Sequence, residues 1–182
     1  MNVFISGGCK NGKSMFAQHM TKKMAEENGR KMYYVATMIP TDDEDRARIL
    51  RHIDERDGGG YETLEQGRNI CDCLTEDVDL DGVFLLDSVT ALLSNEMFLP
   101  GGHCNFQAGE KVAKDLLEFG QRTGSTVFVS DYIYSDAMRY DAFTENYRAS
   151  LAALDCALAE VCDVVIELCA GNVIFHKGGL PE

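Results

Sequence analysis

The stretch Gly7-Gly8-Cys9-Lys10-Asn11-Gly12-Lys13-Ser14 follows the apolar run Val3-Phe4-Ile5 and leads into Met15-Phe16-Ala17-Gln18-His19-Met20. Gly, four intervening residues, then Gly-Lys-Ser is the spacing of a phosphate-binding loop set between a strand and a helix. The glycines permit turns that point successive backbone N–H groups into one concavity, and the first amides of the helix add its positive dipole end. Lys13 is expected to reach the β- and γ-phosphates of GTP or ATP as a point charge and to be catalytic, while Ser14 offers a hydroxyl to Mg²⁺. The expected nucleotide-binding set is therefore Gly7, Gly8, Cys9, Lys10, Asn11, Gly12, Lys13 and Ser14. Phe84-Leu85-Leu86-Asp87 supplies a second part, an apolar strand ending in an acid that can hold Mg²⁺ or its water.

Working outward, short β-branched or aromatic runs alternate with longer stretches of helical period, the pattern of βα units that build a parallel sheet covered on both faces. The expected class is α/β. Strands are expected at 2–6, 31–37, 83–87, 126–130, 164–168 and 173–176, with a weaker one near 61–64. Ala170-Gly171-Asn172 divides the last pair into a hairpin. Apolar spacing of three and four predicts helices at 13–28, 42–57, 106–121 and 143–161. Gly58-Gly59-Gly60 ends the second of these, and Leu99-Pro100-Gly101-Gly102-His103-Cys104 is the other evident loop. The 182 residues suit one domain over 1–182, with no internal repeat.

Charge limits the partners. Lys and Arg total 17 against 30 Asp and Glu, a formal charge of −13 that repels phosphate backbones and anionic membranes, so no nucleic acid is expected as a partner. A phosphate-bearing ligand has to be held locally by aimed donors, as the glycine loop provides. No apolar run approaches the roughly 20 residues of a membrane span, and Met1-Asn2-Val3-Phe4-Ile5-Ser6 lacks a secretion signal's basic start, so the expected location is the cytoplasm. Seven scattered cysteines are an odd number without zinc-type pairing, which predicts reduced thiols rather than a disulfide scaffold or a structural metal. His19, His103 and His176 have no partner legible in the sequence.

Residues 41–65 add chemistry to the nucleotide. Arg48, His52 and Arg56 stand at i, i+4 and i+8, and on a helix they share one face. A neutral imidazole there can attack an α-phosphorus while guanidinium groups bind the phosphate oxygens, leaving a phosphoramidate on the enzyme. Spacing by itself favours a solvated amphipathic helix with a surface histidine.

The whole set of motifs resembles the bifunctional adenosylcobinamide kinase / adenosylcobinamide-phosphate guanylyltransferase family of cobalamin biosynthesis. The resemblance runs through Gly7, Gly8, Gly12, Lys13 and Ser14; Tyr34-Val35-Ala36-Thr37; Asp43-Glu44 with Arg48-Ile49, His52 and Arg56; Tyr61, Thr63 and Glu65; Leu86-Asp87-Ser88-Val89-Thr90 with Asn95; Val129-Ser130; and Asp163-Val164-Val165. It implies a RecA-like P-loop fold, a homo-oligomer that is typically a trimer, and a corrinoid acceptor, adenosylcobinamide. It also implies that His52 accepts GMP from GTP, that Arg48 and Arg56 serve the nucleotide, and that Glu65 contacts its base or ribose. The chain departs from the family pattern at Lys10-Asn11, usually Arg-Ser; at Arg51, usually a second His; at Asp131-Tyr132, usually Asn-Glu; and at Asp155-Cys156, usually Asn-Gln. Ile133 to Met138 replace a glycine-rich stretch, while Tyr147-Arg148 keeps the family's aromatic-Arg pair. Two other functions fit the loop: a P-loop kinase or NTPase with a different acceptor and no covalent adduct, and a nucleotide-sensing protein that binds without turnover.

Overall fold

The computed structural model describes residues 1–27, 29–40, 43, 59–134 and 136–179. The strands are β1 (Val3–Gly7), β2 (Met32–Ala36), β3 (Tyr61–Glu65), β4 (Val83–Asp87), β5 (Phe98–Leu99), β6 (His103–Cys104), β7 (Ser125–Asp131), β8 (Val164–Cys169) and β9 (Asn172–Lys177). The helices are α1 (Lys13–Glu26), α2 (Val89–Met97), α3 (Ala108–Arg122) and α4 (Ala142–Val161). Seven strands form one sheet in the order β3-β2-β4-β7-β1-β8-β9. All its pairs are parallel except β8 with β9, the expected C-terminal hairpin.

Alternation of side chains along the strands explains why both faces are covered. Val3 and Ile5 of β1 point to the α1 face, where they join Leu85, Val127, Val129 and Ile166 around Ala17, Met20 and Met24. Phe4, one residue out of phase, joins Phe84, Leu86 and Phe128 on the other face, against Leu92 and Leu93 of α2, Leu116 and Phe119 of α3, and Leu151, Leu154 and Leu158 of α4. Phe84 stacks on Tyr33 at 4.8 Å between ring centroids and meets Phe119 edge-on at 5.6 Å. Each such buried ring or leucine contributes roughly 1.5–3 kcal/mol through burial alone, which fixes the strands' register from both faces.

Three details differ from the sequence expectations. Helix α2 was not expected: its run Val89-Thr90-Ala91-Leu92-Leu93 follows the apolar β4 after only Asp87-Ser88, and short apolar runs do not distinguish strand from helix. The break is made by Ser88, whose side chain caps α2 by accepting from Ala91 N at 3.2 Å. The 99–104 loop is bracketed by the small antiparallel pair β5 and β6. Strand β7 runs one residue past its expected end, which brings Asp131 level with Gly7 of β1. The expected helix 42–57 lies outside the described residues apart from Asp43, as do Arg48, His52 and Arg56.

Among the described residues no helix is long and apolar enough to cross a membrane. All seven cysteines are free.

Candidate active site

Every parallel strand ends at the same edge of the sheet, so the residues just past their carboxyl ends form one rim. The loop between β1 and α1 lies there. Gly7 is required sterically, because a Cβ would stand 2.5 Å from Leu168 O and 2.6 Å from Asn11 Nδ2. Gly12 is required conformationally: it precedes α1 with φ 88° and ψ 9°, in the left-handed region. From there the chain enters α1, whose first backbone hydrogen bond runs from Phe16 N to Gly12 O at 3.0 Å. No side chain caps that end of α1 and no acid lies in its first turn, so its leading amides are open to an anion.

Lys13 is folded back into the loop and only 5% exposed. Its ammonium donates to Gly8 O at 2.6 Å, Asn11 Oδ1 at 3.2 Å and Asp131 Oδ1 at 2.6 Å. Asn11 is itself anchored, its amide donating to Leu168 O at 2.5 Å. The lysine is thus aimed by the loop on one side and by the end of β7 on the other. Ser14 follows at the second position of α1, with no hydrogen bond from its hydroxyl to another described residue.

Asp87, at the end of β4, accepts from Tyr34 OH at 3.0 Å. It lies two strands from β1, because β7 is inserted between them. Thr37 and Ser88 lock this junction, the Thr37 hydroxyl donating to Ser88 O at 2.8 Å and accepting from Ser88 N at 2.7 Å. Asn95 of α2 closes it by donating to Thr37 O at 2.7 Å and Gly67 O at 2.9 Å. Glu65 ends β3, which is four strands from β1. At about 4.8 Å per strand this is roughly 19 Å from the loop, far from any phosphate that Lys13 touches. Cys9 is exposed on the loop and His19 is exposed on α1.

A family profile described as "Cobinamide kinase / cobinamide phosphate guanyltransferase" matches residues 3–175. The chain belongs to this family. "Bifunctional adenosylcobalamin biosynthesis protein CobU" of Salmonella typhimurium is 31% identical over 102 residues, 56% of this chain and 53% of that protein. The matched stretch therefore spans about half the length of that relative. "Bifunctional adenosylcobalamin biosynthesis protein CobP" of Pseudomonas aeruginosa is 28% identical over 185 aligned positions, covering 100% of this chain and 95% of that one. Among solved structures, the "ATPase Domain of G40P" superposes with a TM-score of 0.58 at 12% identity, over 97% of this chain and 76% of that one. A Pyrococcus horikoshii protein, PH0250, superposes with a TM-score of 0.54 at 11% identity, over 97% and 86% of the two chains. The expected RecA-like P-loop fold is the one observed.

Asp131, Tyr132 and Asp155, three of the departures named above, lie at or near the carboxyl end of β7. Asp131 closes β7, with its backbone N–H donating to Thr90 Oγ1 at 2.8 Å, and Tyr147 OH donates to Thr90 O at 2.9 Å. Arg148, beside Tyr147 on α4, donates to Asp136 Oδ1 at 2.8 Å, Glu145 Oε1 at 3.0 Å and Tyr134 O at 3.2 Å, and lies 4.8 Å from the centre of the Tyr140 ring. The aromatic-Arg pair kept from the family thus supports the strand end and the segment that follows it. In the sequence Asp131 stands out only as a departure from the family pattern. Its signal was the same as that of Asp87, an acid closing an apolar strand.

Asp155 of α4 is 4% exposed and accepts from Tyr134 OH at 2.8 Å. Burial pushes its carboxyl up to about 6, and nearby Asp131 adds to that, against the opposing pull of the Ser130 and Tyr134 hydroxyls. Ser130 lies near enough to favour the charge, although Ser130 Oγ and Asp155 Oδ1 do not meet in hydrogen-bonding geometry. The folded-state value is raised, so the folded protein holds a proton that the unfolded chain releases, and stability falls as pH rises from about 4 to about 6. The gap between 3.8 and about 6 amounts to about 3 kcal/mol above that window, as an upper limit. Asp155→Asn, which restores the residue usual in the family and keeps an acceptor for Tyr134, is expected to stabilise the protein by up to that amount at pH 7.5 and negligibly at pH 4. Urea unfolding at the two pH values checks this, and an equal effect at both would contradict it.

Proposed function

We propose that the chain is a nucleotide-dependent kinase and guanylyltransferase that phosphorylates adenosylcobinamide and then transfers GMP to the product through a covalent histidine. The single observation that supports this most is the aim of Lys13, held between its own loop and a strand-end carboxylate beside the open amides of α1. Family membership supplies the acceptor. The loop amides and Lys13 bind the β- and γ-phosphates of GTP or ATP and absorb the charge that develops as the γ-phosphoryl group moves to the cobinamide hydroxyl.

Ser14 and Asp87 are hard oxygen donors at the same rim, a hydroxyl and a carboxylate, and they suit Mg²⁺. Bound there, Mg²⁺ would neutralise charge on the β- and γ-phosphates. For the second reaction, His52 attacks the α-phosphorus of GTP with loss of diphosphate, Arg48 and Arg56 hold the phosphate oxygens, and the phosphorylated acceptor then takes GMP from the histidine. Both reactions share one triphosphate clamp in one domain. Glu65, distant from the phosphates, serves the base or ribose end of the same nucleotide.

The chain works as a homo-oligomer, a trimer by resemblance to the family. Edge strand β9 supports self-association, since it exposes Val173, Ile174 and Phe175 at 41–43% each.

Incubation with γ-labelled nucleotide, Mg²⁺ and adenosylcobinamide is expected to give labelled adenosylcobinamide phosphate, resolved by chromatography. Label released only as inorganic phosphate would favour the NTPase reading instead. Alkylation confined to Cys9 is expected to weaken nucleotide binding at least tenfold, because an adduct there crowds the concavity of the loop. Cys9→Ala should bind normally and resist the reagent; fluorescence titration of both proteins checks this, and undiminished binding after alkylation at Cys9 would contradict it.

A further inference from the structure

We infer that Asp131 is a catalytic residue of phosphoryl transfer in this chain, the carboxylate that takes the proton of the attacking hydroxyl; this rests on the phosphotransferase half of the proposed function. Among the described residues four strands of the sheet carry a carboxylate at or near their carboxyl ends, and a fifth carboxylate, Asp155 of α4, is buried beside them and accepts from Tyr134. Glu65 is four strands from the loop. Asp87 is engaged by Tyr34 and Glu167 by His176, the latter at 2.9 Å. Asp131 alone touches Lys13, through Oδ1 at 2.6 Å, and its Oδ2 carries no hydrogen bond to another described residue. Its side chain is 30% exposed, so Oδ2 is open to an approaching acceptor while Lys13, at 5%, is enclosed.

Position is fixed by the backbone rather than by the pair alone. Asp131 is in register with Gly7 at the start of the loop, its N–H is held by Thr90 Oγ1, and the next residue's N–H donates to Gly7 O at 3.2 Å. A carboxylate set one strand from the loop and bonded to the lysine that serves the γ-phosphate stands beside the phosphorus under attack. An amide at this position could accept a hydrogen bond from the hydroxyl but could not take its proton; the carboxylate can do both.

In the step, the acceptor O–H bond breaks and its proton passes to Asp131 Oδ2. The hydroxyl oxygen bonds to the γ-phosphorus, and the bond from that phosphorus to the bridging oxygen breaks, its electron pair leaving on the nucleoside diphosphate beside Lys13. Bond making lags in such a loose transition state, so a base contributes at the low end of its usual range, about 10²-fold.

Asp131→Asn tests this against a merely structural role. The expected result is a kcat for γ-phosphoryl transfer lower by about 10²-fold with nucleotide affinity within about threefold. Asp131→Glu, which restores the carboxylate, should recover part of the rate. Release of γ-phosphate to water is measured in parallel, because it reads the same base without depending on which acceptor is correct. If the parent transfers phosphate to water but not to adenosylcobinamide, the acceptor assignment fails while an undiminished effect of Asp131→Asn on hydrolysis still supports the base. Parent and Asp131→Asn turning over at equal rates would overturn the inference, whatever the acceptor.

Discussion

Lys13→Ala is expected to lower γ-phosphoryl transfer by about 10³-fold and to weaken nucleotide binding, the largest loss from any single change in the described part of the molecule. The lysine is enclosed and makes three hydrogen bonds, to Gly8, Asn11 and Asp131, which hold its charge in the loop. The nearest basic residue in the loop, Lys10, is exposed and has a positive φ of 56° at a turn of its own. Removal also leaves Asp131 without its ion pair, and the double variant Lys13→Ala/Asp131→Ala should fold at least as stably as Lys13→Ala while remaining inactive. Turnover with labelled nucleotide and thermal unfolding of both variants check this. A rate within tenfold of the parent would show that the loop lysine does not serve the transferred phosphate.

His52→Ala is expected to abolish the covalent guanylyl-enzyme and with it the transfer of GMP, while γ-phosphoryl transfer persists within a few-fold. The separation follows from the division of labour. In the proposed scheme one reaction attacks the γ-phosphorus, where Lys13 and the loop amides would stand, and the other attacks the α-phosphorus with a nucleophile from a different segment. A phosphoramidate is labile in acid and stable in base, so α-labelled GTP should leave acid-labile label on the parent protein and none on the variant. Arg48→Ala and Arg56→Ala should reduce the label without eliminating it, because in the proposed reaction they bind oxygens of the phosphate whose phosphorus His52 attacks. Equal labelling of His52→Ala would remove that residue from the chemistry.

The sequence made the loop legible because every feature that defines it is local. Gly7 and Gly12 are needed for reasons of close approach and left-handed backbone, and Lys13 and Ser14 follow at once, so eight consecutive residues carry the reading. Strands with both faces buried were equally legible as short apolar runs, and all seven in the sheet fall within one residue of expectation at each end. Helix α2 was not, since Val89 to Leu93 is too short an apolar run to be told from a strand, and its cap Ser88 is a single polar residue after Asp87. The pairing of Lys13 with Asp131 was hidden for a different reason. The two are 118 residues apart, and they meet only because β7 is inserted between β1 and β4, a fact of strand order that no local pattern encodes. Buried Asp155 is the same case: on α4 it reads as an ordinary helical acid until Tyr134 and Ser130 are folded over it.

The transferase reading depends on residue 52 receiving a nucleotide monophosphate held by the loop of residues 7–14. Intact-mass spectrometry of the purified protein after brief incubation with GTP and Mg²⁺, followed by peptide mapping under basic conditions, decides it. A gain of one guanylyl group per chain, located on His52 and reversed by added diphosphate, is the predicted result; an unmodified chain, or a guanylyl group on any other residue, would contradict it.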